Sequence, residues 1–393
     1  MTTSSVTIHG DCDPRFETIR SVFANNFIND LDDGASLAVT LDGQLVVDLW
    51  AGVANIDLGT PWERDTLTNV WSSTKNATAL SVLALASRGE INLDAPMARY
   101  WPEFAAAGKD AVLVRHVMAH SSGLSGWTEP MSNDDLYDWD KATSLLAAQE
   151  PWWEPGTASH YHALTRGYLL GELVRRVSGQ TIGAFLADEL AGPLGAEVHI
   201  GLDQSLDSLV APVIPPTITR DLSILPPESI TARTMTNPLM RAEQAWDEAW
   251  RRAEIPSANG HANARGMARL LAILACEGEV DGKRFLSAEI ANRVFEEQTN
   301  GSGSPMMPIR FGIGYGLTSA LVPFGPNPRT CFWGGWGGSL VLVDLDARMT
   351  IAFMMNRMGQ AVVGDARATG AIKEVFKVLR AHEPDRITDP STM

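Results

Sequence analysis

The chain is poor in cysteine, in long apolar runs and in positive charge. Its three cysteines, Cys12, Cys276 and Cys331, lie far apart. That spacing excludes a zinc motif, and an odd, low count excludes a disulfide framework, so a reducing, cytoplasmic setting is expected. No uncharged apolar run reaches the roughly 18 residues of a membrane span. The opening Met1-Thr2-Thr3-Ser4-Ser5 has neither a basic nor an apolar stretch, so no signal peptide is expected. Lys and Arg together number 31 against 47 Asp and Glu, a net charge of −16. A surface of that sign repels phosphate backbones and anionic lipid, so neither nucleic acid nor membrane is expected as a partner. Several catalytic signatures are also missing. There is no G-x-S-x-G elbow, Walker loop, G-x-G-x-x-G opening a helix, or His-Glu-x-x-His. His116 and His120 are spaced to share a helix face but have no third ligand, and no metal site is expected.

What is present is a large globular chain. Its 393 residues are 45% hydrophobic, enough for two lobes or one large enzyme fold. Helical spacing of Phe16, Ile19, Phe23 and Phe27 predicts a helix over 14–29. Two strands, 35–41 and 44–50, follow, joined by Asp42-Gly43, a strong hairpin signal. A helix beginning near Ser72 is stopped by Gly89, and further helices are expected over 111–119, 134–149, 161–178 and 181–190. Residues 202–258, rich in Pro, Ser and Thr, read as an insertion or cover. A helix over 262–276 precedes strands at 311–320, 329–333, 339–344 and 349–356, and a last helix covers 366–381. Strands thus sit at both ends and helices between them. The expected fold is α+β: a mostly antiparallel sheet made from both chain ends, flanked by helices, with an inserted helical lobe. The corresponding domains are 1–105 with 259–393, and a helical lobe over 106–258.

The most informative residues are Ser72-Ser73-Thr74-Lys75, where an extended segment runs into a helix. Positions i and i+3 share a helix face, so Lys75 lies beside the Ser72 hydroxyl. A helix N-terminus offers free N–H groups and a positive field. Base and field together are what an activated serine nucleophile needs. Two further pieces stand out. Pro155-Gly156-Thr157 leads into Tyr161, whose hydroxyl can point into a cleft, and Trp333-Gly334-Gly335-Trp336-Gly337-Gly338-Ser339 joins two strands. Glycines weaken a strand unless something approaches the backbone closely, as an oxyanion must.

In this order and spacing, Ser72-x-x-Lys75, Tyr161 and Trp333-Gly334-Gly335 resemble the serine β-lactamase and penicillin-binding-protein superfamily, and within it the class C-like family VIII carboxylesterases. His120-Ser121-Ser122-Gly123-Leu124 and Gly167-Tyr168-Leu169-Leu170-Gly171-Glu172 match in style. The resemblance runs from about 35 to 358, leaving the 202–258 insertion unmatched. It implies Ser72 as nucleophile, with Lys75 and Tyr161 as a coupled acid–base pair. It also implies an oxyanion hole from the N–H groups of Ser72 and Trp336. The substrate would lie along Trp333, Gly334 and Gly335. Among the 12 tryptophans, Trp127, Trp139, Trp152 and Trp153 are candidates to line the cleft, Trp153 above all.

Two departures bear on substrate. Relatives that act on lactams and peptides carry Tyr-x-Asn and Lys-Thr-Gly. Here Ala163 and Trp333 replace the asparagine and the lysine, removing two polar handles. The implied reaction is hydrolysis of short-chain neutral esters through a Ser72 acyl-enzyme, with a small-molecule ester as partner and no cofactor. A β-lactamase, D-amino peptidase, amidase or acyltransferase on the same scaffold is the alternative. A non-catalytic binding protein is disfavoured because Ser72, Lys75 and Tyr161 are all intact.

Overall fold

The computed structural model describes residues 6–218, 221–299 and 308–388. A nine-stranded antiparallel sheet draws on both chain ends, as the strand order led us to expect. Strands β1 (Ile8–Cys12), β2 (Gly34–Leu41) and β3 (Gln44–Asn55) come from the N-terminal part. They pair in the order β1, β3, β2. Beyond β2 lie Met349–Met355, Leu340–Asp344, Thr330–Gly334, Gly316–Leu317 and Arg310–Phe311. The two chain ends meet where β2 pairs with Met349–Met355, Leu37 opposite Phe353 and Ala38 opposite Ala352. Both central strands are buried throughout, and alternate residues enter different cores. Leu37, Val39, Ile351 and Phe353 face one core, which they share with Ile372 and Phe376 of the Ala366–His382 helix. Ala38, Ala352 and Met354 face the other, with Leu271 and Leu274 of the Ala264–Ala275 helix. Coverage on both faces explains near-continuous apolar strands in an antiparallel sheet. At the β2–β3 hairpin, Asp42 and Gly43 both take positive φ, 51° and 80°, the backbone of a tight primed turn.

Most helices are shorter than the periodicity predicts, while the closing one runs its full expected length, Ala366–His382. The first is a 3₁₀ turn, Pro14–Phe16, followed by α1 (Thr18–Ile28). Helix α2 spans Thr74–Ser87, and Gly89 with φ 74° follows its end. Every residue from Thr74 to Ala86 is buried, so α2 runs through the middle of the molecule. Its small Ala, Ser and Thr side chains permit close neighbours. The hydroxyls of Thr78 and Ser81 are satisfied by the carbonyls of Pro256 (2.6 Å) and Ala77 (3.0 Å). Next come α3 (Val114–Met118), α4 (Trp139–Ala148) and α5 (Thr165–Ser178). The expected 134–149 helix is broken because the Asp138 carboxylate accepts the Lys141 N–H and starts α4 afresh. The segment 202–258 is a succession of short helical pieces, as its composition indicates.

One element was not anticipated. A small four-stranded sheet pairs Val198–His199, His261–Ala262, Leu67–Asn69 and Val210–Ala211 in that order. Strands of two or three residues carry no periodicity to read. This sheet ties the 202–258 segment to Leu67–Asn69, the stretch that leads into Ser72.

Candidate active site

Ser72 sits in a 3₁₀ turn, Trp71–Ser73, immediately before α2. Trp71 holds φ 49°, a left-handed value that a large L-residue adopts only under constraint. The constraint is a set of hydrogen bonds around it. Val70 N–H donates to Gly260 O (2.8 Å) and Thr74 Oγ1 to Trp71 O (2.5 Å). Ser339 Oγ donates to Val70 O (2.9 Å) and accepts from Ser73 Oγ (2.9 Å). The turn is thereby fixed to the late strand hairpin as well as to α2. The Trp71 ring packs on Trp336 at 5.0 Å and Trp250 at 5.7 Å.

Lys75 lies one helical turn on, 1% exposed. Its Nζ is 3.2 Å from Ser72 Oγ, 2.7 Å from Ala163 O and 2.9 Å from Ser257 O. The two carbonyls can only accept. A neutral amine has two N–H groups for them and one lone pair, which faces the serine hydroxyl. Burial, and then the charge of Arg166, hold Lys75 well below its ordinary 10.5, favouring this neutral form. The Tyr161 hydroxyl donates to Ser72 Oγ at 2.6 Å. Burial pushes Tyr161 up to about 12, while its bond to Ser72, the Arg166 charge and the Trp333 indole pull the other way. Near neutral pH the phenol keeps its proton.

Tyr161 precedes α5 rather than belonging to it, a correction to the expected 161–178 helix. It is held from the side by a histidine scaffold. His162 N–H donates to His120 Nδ1 (3.0 Å), and the His162 ring bridges His160 O (2.7 Å) and Ser122 Oγ (2.8 Å). His120 lies 5.2 Å from the Tyr161 ring and 5.5 Å from Trp333. Burial pushes His162 down to about 3 and His120 well below its usual range, so both are neutral supports. His116 turns away and accepts the Leu113 N–H, separating the spaced histidine pair.

The glycine segment runs beside the serine. A Cβ on Gly335 would fall 2.3 Å from Val70 O and 3.2 Å from Ser72 N, so only glycine fits there. Among the described residues no acceptor faces the backbone N–H of Ser72 or of Trp336. Trp333 is 1% exposed and stacks behind Tyr161 at 5.6 Å, so it forms a wall rather than an open cleft face. Trp153 packs against His160 (4.7 Å) and His162 (5.8 Å), on either side of Tyr161. Trp152 carries Arg233 over its ring at 3.8 Å, where the 202–258 cover meets the site's rim. Trp127 is different. It is 2% exposed and packs on Tyr168 at 5.5 Å, so it belongs to the core of the helical region. Trp139, bonded to Glu172, packs there too. Sequence reasoning missed Ser257 and Ala163 as holders of Lys75, because they act through backbone carbonyls that no side-chain pattern announces. It also passed over Arg166, whose signal was a charge in the buried first turn of α5, away from Glu172, Arg175 and Arg176 further along the helix.

A family model described as Beta-lactamase matches residues 23–374. The chain belongs to the beta-lactamase family. It is 34% identical to "Esterase/beta-lactamase LipL" of Mycobacterium tuberculosis over 376 residues, 89% of this chain and 83% of that one. A crystal structure of a family VIII carboxylesterase superposes with a TM-score of 0.88 at 38% identity, covering 95% of this chain and all of the other. A penicillin-binding protein homologue from Caulobacter crescentus follows with a TM-score of 0.87 and 35% identity, covering 95% of this chain and all of that one. Among the described residues no group of three or more His, Cys, Asp or Glu is placed to hold a metal ion. No helix among them is long and apolar enough to cross a membrane.

Proposed function

We propose that this protein is a serine carboxylesterase acting on short-chain neutral esters through a Ser72 acyl-enzyme. The observation that carries the reading is the chain of contacts from Tyr161 OH through Ser72 Oγ to Lys75 Nζ, with two carbonyls occupying the amine's N–H groups. Ser72 Oγ attacks the ester carbonyl and its proton passes to Lys75. The oxyanion is met by the N–H groups of Ser72 and Trp336. Tyr161, coupled to Lys75, protonates the departing alkoxide, and water then cleaves the acyl-enzyme by the reverse proton path. Gly334, Gly335 and Trp153 border the acyl group, with the Trp333 indole set behind Tyr161. Two relatives reported above by name, an esterase/beta-lactamase and a family VIII carboxylesterase, support this class of reaction. The wall at Trp333 is an indole, not a cation, and Ala163 has no side-chain amide to offer a substrate, which favours neutral esters. Losing a buried polar contact costs about 1–3 kcal/mol, so two such losses weaken lactam turnover by roughly 10²-fold or more.

The test compares kcat/KM for p-nitrophenyl butyrate with that for benzylpenicillin and a D-Ala-D-Ala peptide, alongside fluorophosphonate labelling of Ser72. Ester turnover at least about 10²-fold above lactam turnover is expected. Equal or better values for penicillin would replace the reading with β-lactamase, a second reading favoured by the double name of the M. tuberculosis relative. Three free cysteines, two of them buried, support a cytoplasmic location, which cell fractionation would check.

A further inference from the structure

Arg166 is the second residue of α5 and is 1% exposed. Buried arginines ordinarily face a carboxylate. This one has no ion pair among the described residues. Its Nη2 donates to Gly314 O at 2.7 Å, and its Nε has no partner. A Cβ built on Gly314 would lie 3.1 Å from Ala79 Cβ and 3.7 Å from Arg166 Nη2. The guanidinium therefore lies under α2, beside the residue one helical turn beyond Lys75. The titratable groups around it come from every neighbouring segment. They are Lys75 of α2, Tyr161 and His162 ahead of α5, His120 after α3, and Tyr315. Tyr315 in turn faces Cys331 of the sheet. None is a carboxylate. Glu172 on the same helix is occupied by Arg175, Arg176 and Trp139. The core beneath Ser72 thus holds a lysine and an arginine, with no counter-charge among the described residues.

We propose that Arg166 is a positioning residue for the Ser72 chemistry: its unpaired buried charge keeps Lys75 as the neutral amine that receives the serine proton. The proposal rests on Lys75 being the base in the reaction proposed above. A second positive charge nearby in a weakly screened interior opposes protonation of Lys75. The cost of burying an unpaired guanidinium is thereby converted into an amine held unprotonated. Arg166 touches no reacting atom.

The test is the pH profile of kcat/KM, which reports groups of the free enzyme. The variants are Arg166→Met, Arg166→Gln, which keeps a donor for Gly314 O, and Arg166→Lys, which keeps the charge. The two neutral variants are expected to shift the acidic limb upward by about one pH unit. Arg166→Lys is expected to leave it within about 0.3 unit of wild type. Neutral variants that fold but leave the limb in place overturn the proposal, as does a lower kcat with no shift. If neither neutral variant folds, Arg166→His, whose imidazole burial keeps neutral, is profiled instead. An acidic limb above that of wild type supports the proposal, and an unmoved limb overturns it. Ser72→Ala separates the two levels. If that variant stays active, the serine reading fails, whereas a dead Ser72→Ala with an unmoved limb fails Arg166 alone.

Discussion

Two buried arginines flank the same serine, and they differ in what accompanies them. Arg367, at the start of the Ala366–His382 helix, is 5% exposed and lies behind the glycine segment. It is fully answered: Asp32 at 2.7 Å, Asp365 at 2.6 Å, and the carbonyls of Arg357 and Gly337. A Cβ on Gly338 would collide with Arg367 and Asp365, so the loop carrying the Trp336 N–H is seated directly on this cluster. Arg166, on the other side of Ser72, has one carbonyl and no carboxylate. A compensated charge fixes geometry, and its field falls mainly on its own carboxylate partner, holding Asp32 down against the upward push of burial. An uncompensated one contributes little geometry and shifts every proton affinity near it. On the proposal above, shape and proton affinity come from different arginines.

The largest expected effect tests the centre of that comparison. Ser72→Ala should lower ester turnover by about 10³-fold or more with the fold intact. More than a few per cent residual activity in the purified variant would remove Ser72 as nucleophile. Next, on the uncompensated side, Lys75→Ala and Tyr161→Phe should each lower kcat by about 10²-fold. The double variant should lose far less than the product, because the pair moves one proton. Multiplicative losses in a double-mutant cycle would dissolve the coupling. On the compensated side, Arg367→Met should act through stability. It strands Asp32, and breaking a buried pair costs about 3–5 kcal/mol. Burial already pushes Asp32 up to about 6. The unfolded state holds that carboxyl ionised above its ordinary range while the folded variant prefers the proton more strongly than wild type, so the loss should grow as pH rises above about 6, towards 8. Urea denaturation across that range checks this, and a pH-independent loss would contradict it.

The smallest effect is the sharpest in sign. The folded Lys75 pKa lies well below 10.5, its ordinary value. Between those two values the unfolded chain binds a proton that the folded chain does not. Wild-type stability should therefore rise relative to Lys75→Met by up to about 1.4 kcal/mol per pH unit in that window. A flat difference between the two proteins would mean that Lys75 stays charged when folded.

The fold was legible because strand-rich ends and a helix-rich middle admit few packings, and because Asp42-Gly43 marks its hairpin without ambiguity. The Ser72, Lys75 and Tyr161 cluster was legible through motif order, and the structure brings those three within hydrogen-bond reach. What escaped has physical reasons. Two-residue strands leave no alternation, so the small sheet was invisible. The Tyr161–Leu164 segment reads as helix by composition, yet His120 captures the His162 N–H and Lys75 captures the Ala163 carbonyl. Tertiary bonds took the groups a helix would have used. Trp127 was unreadable because a loop tryptophan pointing inward and one pointing outward have the same sequence.

The pairing of β2 with Met349–Met355 has a consequence for synthesis of the chain. Thr40 and Thr350, whose hydroxyls meet across those strands, are separated by 310 residues. At 5–20 residues per second, the β2 edge waits roughly 15–60 s on the ribosome before its partner strand exists. Throughout that interval an apolar hairpin edge is open to any other unpaired strand nearby. Contacts this distant in sequence also form slowly once the chain is released. The late hairpin brings the Trp336 N–H with it, so the proposed oxyanion hole forms only after this pairing. Yield in a heterologous host should therefore respond to slower growth temperature and to chaperones that shield strand edges, more than to changes on the finished surface.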